Sequence, residues 1–195
     1  MEKVNLKKFE QWKEMHFERV LKRHPYISKR IQSVVLKAGL PPIEQLQSFS
    51  SMYIHGDTGT GKTVLAIQFM LGLIAYGSAQ ARPISAIFIT VPELLLLFRS
   101  TFTGVSDESE QEILDRYSSV SLLVLDDLGA QKTTDWAYQM LYMVINRRYE
   151  NMKPMIITSN YDLNELGNKM EDERIPSRLY EMCDVIEQTK QYRHG

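Results

Sequence analysis

The sequence predicts a three-layer α/β fold, with helices on both faces of a central parallel sheet of five strands. Two observations carry this. Short apolar runs rich in β-branched residues alternate with longer segments of helical period, and unbroken apolar runs belong to strands covered on both faces. A glycine-rich turn joins the first such run to the first long helix.

The elements follow in order. Leu6, Phe9, Trp12, His16 and Val20 recur at three- and four-residue steps, predicting a helix over about 6–23 that Pro25 stops. A second helix over about 28–38 carries Ile31, Val34 and Val35 and ends at Gly39 and Pro41-Pro42. A soft boundary then separates a short helical N-terminal extension, 1–45, from the main domain, 46–195. In that domain a strand at 52–55 precedes a helix at 62–76, and ISAIFIT at 84–90 is a buried strand. Pro92 suits the first turn of a helix reaching about 102. After a polar loop come a helix at 109–117 and the strand LLVLD at 122–126. A long helix over 134–151 is expected to turn Trp136, Met140, Leu141, Val144 and Ile145 inward. A strand at 154–158, a helix near 173–182 and a strand at 184–189 complete the chain.

Composition narrows the class. At 195 residues, 44% hydrophobic and with ten glycines, the chain is neither fibrous nor disordered and can bury one core. Cys183 is the only cysteine, which excludes an internal disulfide and an all-cysteine metal site. Charges crowd the first twenty residues where a signal peptide needs an apolar core, and the apolar runs are too short to span a bilayer. The expectation is a soluble, cytoplasmic protein. Residues 1–37 hold ten Lys/Arg against four Asp/Glu, while the remainder holds 13 against 20. Such a basic head points either to an anionic partner or to a solvated lysine-rich helix.

The chemistry concentrates at two places. Gly56-Asp57-Thr58-Gly59-Thr60-Gly61-Lys62-Thr63 satisfies G-x-x-x-x-G-K-[ST] between a strand and a helix. Glycines let successive amides converge on one concave site, and the helix that follows aims its positive end there. Lys62 reaches the β- and γ-phosphates of ATP, and the Thr63 hydroxyl is a Mg²⁺ ligand. The acid pair Asp126-Asp127 ends the apolar strand 122–126. Carboxylates there are costly unless a cation meets them, so Asp126 is expected to hold Mg²⁺ and Asp127 to orient or activate water.

Further motifs extend the pattern: LLVLDDLGA at 122–130, Thr134-Asp135-Trp136, Ile157-Thr158-Ser159-Asn160, and ERIPSRL at 173–179. With the phosphate loop, they resemble the AAA+ ATPases of the DnaC/DnaI helicase-loader and IstB transposition-helper group over about residues 50–193. The resemblance implies a P-loop NTPase core without a C-terminal helical lid, and ATP hydrolysis that depends on contact between subunits or on DNA; the shorter aspartate at 127 aligns water less readily, so slow hydrolysis is expected. By that resemblance Asn160 is the sensor-1 residue, the alternative being an Asx turn. Arg178 is the arginine finger, with Arg174 the competitor and a surface ion pair the alternative, and Arg193 is similar to a sensor-2 residue that helps hold the nucleotide. Asp127 departs from the glutamate common in AAA+ enzymes, and only 17 residues follow Arg178, a truncation the group shares. The resemblance also implies single-stranded DNA at Phe98, Arg99, Ser100, Thr101, Phe102 and Thr103, or else two phenylalanines that are simply core. It implies self-association at the ATP site and a replicative DNA helicase as partner, gripped by the Phe9/Trp12/Val20 face of the head unless that face packs on its own core. The rival reading is an IstB-like transposition helper acting on duplex DNA; a small-substrate kinase is third.

Overall fold

The computed structural model describes residues 6–22, 24, 27–102, 107–130 and 134–189; Pro25, Thr103 and Arg193 lie outside the described residues. Its sheet contains β1 (Ser51–His55), β2 (Ala86–Thr90), β3 (Leu122–Leu128), β4 (Met155–Ser159) and β5 (Cys183–Glu187). Their order is β2-β3-β4-β1-β5, and every neighbouring pair is parallel. All carboxyl ends therefore share one edge, the edge at which open α/β sheets bind ligands.

Helices α1 (Leu6–Lys22), α2 (Lys29–Ala38), α3 (Ile43–Gln47) and α4 (Lys62–Ala79) cover one face of the sheet. The other face carries α5 (Val91–Phe102), α6 (Glu110–Ser119), α7 (Asp135–Glu150), α8 (Leu163–Met170) and α9 (Arg174–Met182). The α4 helix is apolar nearly all round because the sheet lies below it and α1–α3 lie above. Among the described helices it alone has the length and apolarity to cross a membrane, yet most of it is buried within this fold. Gly72 lets α3 approach closely, since a Cβ there would sit 2.9 Å from the Leu46 side chain. Buried Gln68 is satisfied by donating to the Gly39 carbonyl at 2.7 Å.

Two helices were not anticipated. The five residues of α3 are too few to display a period. A readable signal did precede α8: Asp162 and Glu165 form a capping box, each side chain accepting from the other's backbone N–H, at 2.8 and 3.0 Å.

Trp136 stands differently from expectation, and the structure decides between the readings left open for Phe9, Phe98 and Phe102. Phe9 is buried against the α4 face with Trp12 and Val20 packed around it, so the face expected to grip a partner lies on the chain's own core. An apolar stripe is drawn to whichever apolar surface is nearest, and α4 offers one. Trp136 is only half-buried, with the Arg99 guanidinium 5.1 Å above its ring and Phe102 packed edge-on. Phe98 is core at 0% exposure, whereas Phe102 is 67% exposed.

Arg148 of α7 is wholly buried and meets no carboxylate among the described residues. It donates instead to the carbonyls of Tyr117, Ser118, Val120 and Pro154, at 2.9, 3.2, 3.0 and 2.6 Å. The first two belong to the last turn of α6, where a helix gathers negative charge. Burial pulls the guanidinium down to about 10, still protonated at neutral pH.

Candidate functional site: a phosphate loop facing an acid pair

Between β1 and α4 the backbone curls through three left-handed glycines, Gly56, Gly59 and Gly61, at φ 141°, 88° and 92°. The glycine at 56 has a second cause. A Cβ there would lie 2.4 Å from the backbone oxygen of Gln188, just past β5. Gln188 also donates its N–H to the His55 carbonyl at 2.7 Å and its amide to the Thr60 carbonyl at 3.2 Å. The edge strand thus braces the loop from outside. Nothing in the local sequence marks Gln188, because the contact exists only once β5 pairs with β1.

Lys62 opens α4 and is 7% exposed. Its ammonium donates to the carbonyls of Gly56 and Asp57, at 2.7 and 2.9 Å, and to Asn160 Oδ1 at 2.8 Å. Burial lowers its pKa, opposed by the charges of Asp127, Asp126 and Asp57. The Thr63 hydroxyl donates to Asp126 Oδ1 at 2.9 Å. Burial raises the Asp126 carboxyl, while hydroxyls of Thr158 and Thr63 act the other way. Asp127, at φ 64°, accepts from Asn160 Nδ2 at 3.4 Å. Four residues from three separate elements therefore converge at the carboxyl edge: Lys62, Asp126, Asp127 and Asn160. Asn160 lies one residue beyond β4 rather than within it.

The donor set fits a hard cation. A hydroxyl and a dehydrated carboxylate, already in contact, match what Mg²⁺ takes from a protein when phosphates and water supply the rest. Beside the loop, a cavity of about 410 Å³ is walled by Ile31 and Val34 of α2 together with Thr58 and Gly59. An apolar wall next to a phosphate cradle suits a nucleoside, and sequence reading assigned α2 no such part.

The α9 arginines lie on the other face of the sheet. Arg178 donates to Asn146 Oδ1 at 2.5 Å, to Tyr142 Oη at 2.9 Å and to the Arg174 carbonyl at 3.2 Å. Arg174 pairs with Asp172 at 2.8 Å, and both guanidiniums stack on Tyr142. The structure does not bring either arginine to the acid pair of its own chain by any bond among the described residues.

A family model described as IstB-like ATP binding protein matches residues 26–193. The replicative helicase loader DnaC of Buchnera aphidicola (Schizaphis graminum strain) is 30% identical over 149 residues, 76% of this chain and 58% of that protein. DnaC of Escherichia coli K12 is 28% identical over 132 residues, 68% of this chain and 51% of its own. The chain spans about half the length of the curated relatives it matches. Among solved structures, the DnaC helicase loader aligns with a TM-score of 0.68 at 23% identity, covering 83% of this chain and 100% of that one. AMPPCP-bound DnaA from Aquifex aeolicus aligns at 0.58 and 22% identity, over 96% of this chain and 51% of its own. These likenesses establish the AAA+ fold. The chain belongs to the IstB-like ATP-binding family.

Proposed function

We propose that this member of the IstB-like ATP-binding family is an ATP-hydrolysing switch that acts on a replicative DNA helicase. The observation that carries the reading is the convergence of Lys62, the Thr63–Asp126 bond, Asp127 and Asn160 on one cradle of backbone amides. In it Gly56, Asp57, Thr58, Gly59, Thr60 and Gly61 wrap the phosphates with N–H groups. Lys62, now held by Asn160 and two carbonyls, exchanges them for the β- and γ-phosphates. Thr63 and Asp126 would hold Mg²⁺, whose charge would offset that developing on the phosphoryl group. Asp127 orients the attacking water, and Asn160 senses the γ-phosphate beside it. Arg178 serves a neighbouring subunit's site as the finger, which requires it to leave Tyr142 and Asn146. By the family resemblance, Arg193 is a further nucleotide contact.

Single-stranded DNA is the proposed ligand of the corner where Arg99, Phe102 and Trp136 meet. A half-open aromatic pair with a guanidinium can stack a base and meet a phosphate. Contact with the helicase then falls to the outward face of α1, where Leu6 and Met15 are exposed. The likeness to replicative helicase loaders supports the helicase role, and membership of the IstB-like family keeps the rival, a transposition helper on duplex DNA, as the second reading.

The test is the ATPase rate per subunit against protein concentration, without DNA and with single or double strands, alongside Lys62→Ala. The loader reading expects a rate that climbs with concentration, rises further with single strands and vanishes in the variant. A fingered site gains on the order of 10³–10⁵ in rate from its arginine. Stimulation by duplex alone assigns the chain to transposition. A flat rate indifferent to DNA sinks both.

A further inference from the structure

The β3–β4 ladder breaks at the acid pair. Leu125 pairs with Ile157 and Leu128 with Ser159, so Asp126 and Asp127 together face the single residue Thr158. This is a bulge, which removes a ladder hydrogen bond and bends the strand that carries the extra residue. Asp127 sits within it at φ 64°, a left-handed conformation that is strained for a side chain with a Cβ. Something must repay that strain and satisfy the freed backbone.

Thr158 does both. It is 1% exposed, and its hydroxyl donates to Asp126 Oδ1 at 2.7 Å while accepting the Asp127 N–H at 2.9 Å. One oxygen thus fixes the carboxylate of the first acid and the backbone of the second. The neighbouring strand ends are tied separately: Ser159 donates its hydroxyl to the Leu128 carbonyl at 2.7 Å and accepts the Tyr161 N–H at 3.1 Å.

We propose that Thr158 is the positioning residue of the acid pair, holding the bulge so that Asp126 meets Thr63 and Asp127 stands beside Asn160. The proposal rests on the nucleotide-site reading above. Thr158 is buried behind the acid pair and acts through the two aspartates. Valine has nearly the same shape and removes both bonds, leaving a buried carboxylate short of a donor and a sheet N–H unpaired. Serine keeps the oxygen and loses only a methyl group.

The experiment uses the full chain and its Thr158→Val and Thr158→Ser variants. Affinity for a fluorescent ATP analogue is measured in EDTA and again in Mg²⁺, with melting temperature, kcat and KM alongside. The wild-type chain is expected to bind the analogue more tightly in Mg²⁺. Thr158→Val should keep metal-free affinity within about two-fold and lose the Mg²⁺ enhancement, with kcat down on the order of 10–100-fold at little-changed KM. Thr158→Ser should restore both to within a few-fold. The proposal is overturned if Thr158→Val retains the enhancement and kcat, or if serine fails to rescue while melting falls equally in both variants. A wild-type chain that binds no analogue under either condition would overturn the nucleotide reading itself, and this proposal with it.

Discussion

The two faces of the sheet are covered by different physics. On the α1–α4 face, α4 is apolar on nearly every side, and it binds the sheet beneath and α1–α3 above mainly through contact area, with the Gln68–Gly39 bond to the end of α2 added. On the α5–α9 face the covering helices are mixed, and a buried guanidinium, Arg148, ties α6, α7 and the start of β4 through four carbonyls. Apolar burial is non-directional and spreads its stabilisation over many small contacts. A buried charge concentrates it in a few bonds whose loss is severe. The comparison teaches that the phosphate loop rests on the tolerant face, while the acid pair lies in a strand between two differently built layers.

The sharpest way to break the comparison is Arg148→Ala. It leaves four carbonyls without their donor and a cavity in the core, and a loss of about 3–5 kcal/mol is expected in denaturant titration. A loss under about 1 kcal/mol would mean that water replaces the guanidinium and the two faces are alike. Next is Phe9→Ala on the opposite face. Removing this buried ring should cost about 3 kcal/mol and loosen α1, read as faster amide exchange in α1 with the sheet unchanged. Exchange rising equally in the sheet would show that α1 is integral to the core. The smallest stability effect is expected at Phe102→Ala, within about 0.5 kcal/mol because the ring is exposed. That variant should still bind single-stranded DNA more weakly; unchanged binding removes the stacking corner.

Particular residues show what was legible. The strand–loop–helix context of Gly56–Thr63 and the two acids after the apolar run of β3 are local patterns, so the parallel sheet and its ATP-binding family could be read from them, although β3 runs on to Leu128 and does not stop at Asp126 as expected. Trp136 was misjudged because helical period places it on the buried side of α7, whereas Arg99 and Phe102 form a half-open lid there. Period reports a face; it does not say what the neighbouring element brings to it. Phe9 shows the same limit from the other side. Its apolar stripe was visible, but only the folded chain reveals that α4 already covers it.

The sequence by itself determined the five strands, the helices other than α3 and α8, the phosphate loop, the acid pair and the asparagine after β4, because each is encoded by residues adjacent in the chain. Tertiary structure alone decided that Gln188 braces the loop, that Arg148 is buried among carbonyls, and that Thr158 faces two aspartates at once. The physical reason is common to all three. Each partner is joined across strands or layers, where register and packing choose the neighbour, and no local spacing in the chain records that choice.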